Sequence, residues 1–356
     1  MSRKARAWAS SAVRPERARP PIFYQGTSME SPMLPRRPFL HSALFLLAAT
    51  LAGNAAAQPL PRQIRMVVPF SPGGPADLIA RKLSERLGPQ LDATVIIDNR
   101  PGANGTIGVQ AVAKAAPDGG TLLFATSGML TISPVLYKDL NYDPLKDLSP
   151  IGRVVANGTA LLVGKQLPAN DMKEFVAYAR QSTNPVAIGS AGTGNITHLY
   201  MELMKDATRG NFVHVPYKGV APALTDVMGG QIAGVFVDLP AALPLLKGGK
   251  VKALGLVGTE RSPSAPEIPT IAEQGYPGVD GVSWFGVLAP AGMAADKVQA
   301  IHAGIARVLA DPAMIENLKE IGSVPALNQP AQMTQLMRDE QARWARLIKA
   351  RNIQVD

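Results

Sequence analysis

The apolar run Met66–Phe70 is followed by Ser71-Pro72-Gly73-Gly74-Pro75-Ala76-Asp77 and then by Leu78-Ile79-Ala80. A strand ends, two glycines let the backbone approach a partner, and a helix begins. Pro75 suits the first helical turn, where its missing N–H leaves nothing unpaired. The first N–H groups of such a helix point outward with the positive end of its dipole behind them. They can hold an anion or polar ligand without a charged side chain. Phe70, Ser71, Gly73 and Gly74 are therefore candidate contacts, although Gly73-Gly74 taken alone reads equally as a tight turn. Asp77 either touches the ligand or favours its own helix start. A second loop, Ser190-Ala191-Gly192-Thr193-Gly194-Asn195, opens the helix Ile196–Met204. Ser190, Gly192, Thr193 and Asn195 offer hydroxyls and amides to a carboxylate. The glycine spacing is not G-x-G-x-x-G, and no acidic residue ends a following strand at the expected place, so no dinucleotide is expected. Asp238 ends the apolar strand Ile232–Asp238; it either caps the helix that begins at Leu239-Pro240 or pairs with a ligand amino group. No nucleophile elbow, metal cluster or cofactor-lysine motif accompanies these loops, so neither a catalytic residue nor a cofactor nor a metal is expected.

The elements that carry the loops alternate between strand and helix, the pattern of α/β layers. Strands are expected at Ile64–Phe70, Ala93–Ile97, Thr121–Ala125, Pro185–Gly189, Phe212–Val215, Val251–Gly258 and Val282–Leu288. The helix Pro75–Leu87 places Ile79, Leu83 and Leu87 on one stripe. Beyond Leu288 the chain reads as helical over Asp296–Ala310, Pro312–Ile321 and Pro330–Asn352. The order suggests one lobe from 58–162 and 284–356 and a second from 163–283, with Leu161–Gly164 and Ser283–Gly286 as the crossings. Two crossings make a hinge, and a cleft between lobes is a usual place for a small ligand. Trp284 and Phe285 are either core or cleft wall.

Residues 1–57 read as leader and signal peptide. Arg36-Arg37, the apolar run Phe39–Leu51 and Ala55-Ala56-Ala57 form a charged start, a short apolar core and a small-residue exit, with cleavage after Ala57. Residues 1–32 read as an over-extended start, since the signal can itself begin at Met29 or Met33; a disordered basic arm is the alternative. The leader holds eight basic and two acidic residues, so only about +3 of the chain's formal +9 belongs to residues 58–356. The basic excess is thus no nucleic-acid signal. No cysteine is present, which suits a bacterial periplasm better than a disulfide-built secreted scaffold. His198, His214 and His302 lack metal-ligand spacing.

Further motifs follow in register: Val68-Pro69-Phe70-Ser71-Pro72-Gly73-Gly74, Asn99-Arg100-Pro101-Gly102-Ala103, Pro117-Asp118-Gly119, Gly189–Gly194, Val215-Pro216-Tyr217-Lys218-Gly219, Ala221–Asp226 and Asp238-Leu239-Pro240. In these residues, and over essentially the whole mature length, the chain resembles the tripartite tricarboxylate transporter receptors, also called the Bug family. The resemblance implies a type II periplasmic binding-protein fold: two α/β lobes with a hinge and an inter-lobe cleft, closing on a small organic carboxylate for delivery to a membrane permease. By position it brings Phe70–Asp77 and Ser190–Asn195 to the ligand, adds Ser127 from the loop Thr126–Met129, and turns the Asp238 loop to the same cleft. Met129-Leu130 departs from the polar or aromatic pair common in relatives, so that side is expected to be more apolar. A ligand-binding partner of a membrane sensor, and an enzyme on a two-lobed α/β scaffold, are the alternatives. A periplasmic monomer with no nucleic-acid partner is expected.

Overall fold

The computed structural model describes residues 59–102 and 105–355. The leader, the cleavage site at Ala57, and Ala103 lie outside the described residues. Two sheets organise the rest. The first has the order β11-β4-β10-β3-β1-β2, and the second β7-β6-β8-β5-β9. The first holds β1 (Gln63–Val68), β2 (Thr94–Asn99), β3 (Thr121–Thr126), β4 (Leu148–Asn157), β10 (Ser283–Pro290) and β11 (Ser323–Pro325). The second holds β5 (Thr159–Gly164), β6 (Val186–Ser190), β7 (Phe212–Pro216), β8 (Gly234–Asp238) and β9 (Val251–Leu256). Strands β1, β2 and β3 are parallel, as are β6, β7 and β8. Strands β10 and β5 run antiparallel to their neighbours.

Both faces of each sheet are covered, which is why the strands read as apolar runs rather than alternations. In the first sheet, Met66, Val68, Leu122 and Phe124 enter one core cluster, while Val67, Leu123 and Ala125 enter another. In the second, Leu161 and Val163 face one cluster, and Ala160 and Leu162 the other. The helix α1 (Pro75–Gln90) buries Ile79, Leu83 and Leu87 completely, as its stripe requires. It is followed by α2 (Thr106–Ala113), α3 (Ser133–Leu136), α4 (Met172–Gln181), α5 (Ile196–Thr208), α6 (Val220–Gly229), α7 (Leu239–Lys247), α8 (Ala295–Ala310), α9 (Pro312–Glu320) and α10 (Pro330–Ala350).

The chain passes between the sheets at Gly158, earlier than the crossing expected at Leu161–Gly164, which lies wholly inside β5. The change of sheet is concealed because β4 and β5 are separated by one residue. That residue packs closely: a Cβ on Gly158 would stand 2.7 Å from Leu239 Cδ1, so the Leu239 side chain would have to shift to admit a larger residue. The return passage enters β10 at Ser283. Helix α10, expected wholly with the first lobe, spans both. Met333 and Met337 pack in a first-sheet cluster, whereas Trp344 and Ile348 pack in a second-sheet cluster.

Candidate binding site

The loops after the carboxyl ends of β1, β3, β6, β7 and β8 converge, as open α/β sheets require of a ligand crevice. Together they line a cavity of about 690 Å³. In the first loop, Gly74 is the N-cap of α1 and supplies no side-chain cap. The first backbone bond of the helix runs from Leu78 N–H to Gly74 O at 3.0 Å. The amides before it are not used by the helix, and Gly74, Pro75 and Ala76 line the cavity. Gly73 has φ +86°, a conformation that favours glycine. Its N–H donates to Asp77 Oδ2 at 2.9 Å.

Asp77 is 2 % exposed and its carboxylate turns into the loop. Arg81 Nε donates to Oδ2 at 2.9 Å, and Asn99 Nδ2 to Oδ1 at 2.9 Å. Asn99 also donates to Phe70 O at 3.0 Å, so one amide ties β2 to both ends of the loop. Burial acts to raise the pKa of Asp77, but Arg81, Gly73 and Asn99 outweigh it and hold the carboxyl below its ordinary range. Asp77 and Gly73 do not line the cavity; Phe70, Ser71 and Gly74 do.

The second loop is also held from within. Ser190 is fully buried. Its Oγ donates to Gly192 O at 3.0 Å, accepts from Gly192 N–H at 3.1 Å, and lies 2.6 Å from His214 Nε2. The distance suits a nucleophile and its base, but Ser190 lies outside the cavity lining and its hydroxyl fixes the turn. Burial, then the neighbouring His198, push the His214 pKa down to about 4, so the ring is neutral at pH 7. Asn195 caps α5, accepting from Thr197 N–H at 3.1 Å. Gly192, Thr193 and Asn195 line the cavity. The hydroxyls of Ser71 and Thr193 have no partner among the described residues.

Ser127 lies at the end of β3, where a π-helical turn, Gly128–Ile132, begins. Carbonyls in that turn find outside donors: Met129 O accepts from Tyr142 Oη at 2.7 Å, and Leu130 O from Gln341 Nε2 at 2.8 Å. Ser127 and Met129 line the cavity, and Leu130 is fully buried. Asp238 stands at the N-cap of α7 but makes no side-chain bond to it. Thr159 Oγ1 donates to its Oδ1 at 2.6 Å and Ser283 Oγ to its Oδ2 at 2.8 Å. Trp284 is fully buried, while Phe285 lines the cavity.

Of the site residues read from the sequence, the cavity thus gathers Phe70, Ser71, Gly74, Ser127, Gly192, Thr193, Asn195 and Asp238, and leaves out Gly73, Asp77 and Ser190. Tyr137, Tyr217, Lys218 and Ser283 line it without having been singled out as contacts. Tyr217-Lys218-Gly219 was visible as a motif after β7; Tyr137 and Ser283 carried no local signal. Lys218 and Asp238 are the charged side chains of the lining among the described residues. No group of three or more His, Cys, Asp or Glu there could hold a metal, and no described helix is long and apolar enough to cross a membrane.

Residues 79–353 match the family model described as the tripartite tricarboxylate transporter family receptor. The chain is 33 % identical to protein BugT of Bordetella pertussis over 308 residues, which cover 86 % of this chain and 94 % of BugT. A solved R. palustris protein with adipate is 35 % identical, with a TM-score of 0.76 over 82 % of this chain and 98 % of that one. MatC from Rhodopseudomonas palustris, solved with bound malate, is 32 % identical, with a TM-score of 0.71 over 81 % and 99 %. With two covered sheets, a crevice at their strand ends and matches that run nearly the length of the fold, the chain belongs to the Bug family of tripartite tricarboxylate transporter receptors.

Proposed function

We propose that this protein is a periplasmic receptor that captures a small organic carboxylate between its two lobes and presents it to membrane permease subunits. The observation that carries the reading is the convergence of two helix starts, α1 and α5, on one cavity whose lining has a single cation among the described residues. Each helix terminus contributes roughly 0.3–1 kcal/mol at exposed sites and up to about 2 when partly buried. Hydrogen bonds to a charged group add about 1.5–3 kcal/mol each. Several together reach the roughly 8 kcal/mol of micromolar affinity. The adipate and malate found in relatives fit this chemistry. Function then needs only differential affinity: the ligand bridges the lobes and favours the closed form. Signal cleavage after Ala57 and a monomeric state belong to the same reading.

Protein unfolded, dialysed and refolded to remove retained ligand should bind at least one linear mono- or dicarboxylate with micromolar affinity in calorimetry. Failure of every such acid to bind, together with no carboxylate in the extract of natively purified protein by mass spectrometry, would overturn it.

A further inference from the structure

Asp238 is the one acidic side chain in the lining among the described residues. It occupies a helix N-cap position yet leaves the helix uncapped. Its two oxygens instead accept hydroxyls from the two passages between the sheets. Thr159 opens β5 just past Gly158, and Ser283 opens β10. Asp238 therefore borders the cavity beside the two places where the chain passes between the sheets.

An ionised carboxylate in such a place needs compensation. A salt bridge does not supply it: no cation among the described residues lies within ion-pairing distance. Lys218, the lining's cation, makes no hydrogen bond or ion pair among the described residues. Two hydroxyls occupy about half of the roughly four acceptor positions of a carboxylate. Burial pushes the Asp238 pKa up, with the two hydroxyls opposing that rise. The remaining acceptor capacity has no partner among the described residues, and Asp238 lines the cavity.

We propose that Asp238 is a specificity-determining residue: it accepts a hydrogen bond from an ammonium or hydroxyl at one end of the ligand and excludes a second ionised carboxylate there. The inference rests on the carboxylate reading above, in which the helix starts hold the ligand's other end. Two unpaired carboxylates in one desolvated pocket repel, whereas an ammonium or hydroxyl completes the shell of Asp238. The cleft would then select amino or hydroxy acids over diacids of equal length.

The test is calorimetry at pH 7.5 with straight-chain acids of four to eight carbons, each carrying a carboxylate, an ammonium or a hydroxyl at the far end. At the length bound best, wild type should prefer the amino or hydroxy acid over the diacid by tenfold or more. Asp238→Asn keeps the shape and an acceptor for one of the Thr159 and Ser283 hydroxyls, while the other turns to accept from the new amide; it should reverse or erase that ratio. A merely structural role would weaken all three ligands alike and leave the ratio unchanged. The wild-type comparison needs no variant, so it stands even if Asp238→Asn does not fold. Equal or tighter binding of the diacid by wild type, or an unchanged ratio in the variant, overturns the inference and leaves the carboxylate reading intact. If none of the acids binds either protein, the inference falls; the carboxylate reading falls with it only if the extract of natively purified protein also holds no carboxylate.

Discussion

His198 and His214 lie face to face, with ring centroids 3.6 Å apart and planes within 5° of parallel. Between them they hold both glycines of the loop that opens α5. His214 Nε2 meets Ser190 Oγ, which bonds Gly192, while Gly194 N–H donates to His198 Nδ1 at 3.1 Å. His198 Nε2 then faces Glu202 Oε1 at 3.8 Å. Burial and then the neighbouring His198 ring favour the neutral form of His214 in this stack.

That arrangement sets a pH dependence of stability. The His214 pKa is lowered from 6.5 to about 4 by burial and then by His198. Between those values the unfolded chain binds a proton that the folded chain does not. Stability therefore falls as pH drops from about 6.5 towards 4, and this contribution levels off below. Urea denaturation at pH 7.5, 5.5 and 4.5 should show a shallower decline for His214→Asn than for wild type. Parallel declines would show that His214 titrates alike in both states.

The Ser190 and Thr193 hydroxyls should separate stability from affinity. Ser190 makes its bonds inside the loop and does not line the cavity. Ser190→Ala leaves Gly192 N–H and His214 Nε2 short of a partner, at a cost of about 1–3 kcal/mol in unfolding free energy. Thr193 lines the cavity and has no internal partner among the described residues. Thr193→Val should change stability by no more than about 0.5 kcal/mol. It should weaken carboxylate binding about tenfold, as loss of a donor to an anion implies. Thermal melts and calorimetry on both variants check this; a silent Thr193→Val would remove that hydroxyl from the ligand's shell.

The adjacent glycines should also behave differently. Gly74 has φ −79°, and a Cβ there would find nothing nearer than Ser71 O at 3.8 Å. Gly74→Val therefore leaves the fold intact and puts its methyls where Gly74 borders the cavity, so binding weakens with little change in melting temperature. Gly73, at φ +86°, lies outside the lining. Gly73→Ala should cost about 1 kcal/mol of stability, with the smaller effect on affinity. The reverse pattern would place the close backbone approach at Gly73.

The loops were legible because glycine and proline punctuate them and a strand and helix flank each one. What could not be read was the direction of their side chains. Asp77 and Ser190 have the right chemistry for a ligand, but the same chemistry ties a loop together. The choice depends on Arg81 and Asn99 in one case and on His214 in the other. Asn99 is twenty-two residues from Asp77, and His214 twenty-four from Ser190. Strand β4 escaped because Pro150 and Gly152 interrupt its pattern; both pair with β10 across an irregular register. The junction at Gly158 and the double allegiance of α10 are set by packing between lobes, which leaves no periodicity.

Lys218 provides the last test, on how the ligand's charge is recognised. It is exposed, borders the cavity, and makes no ion pair among the described residues. An exposed cation at a rim attracts an incoming anion over a distance comparable to the Debye length, about 10 Å at 0.1 M salt. It contributes little once the ligand is seated, since exposed pairs are worth about 0.2–1 kcal/mol. Lys218→Met should therefore reduce affinity by no more than about fivefold. It should slow association at low salt and lose that effect near 0.5 M salt, where screening removes the attraction in wild type as well. Stopped-flow and calorimetry at two ionic strengths separate the two contributions. If Lys218→Met abolishes binding while Thr193→Val is silent, a direct ion pair holds the carboxylate, and the helix starts of α1 and α5 only shape the cleft.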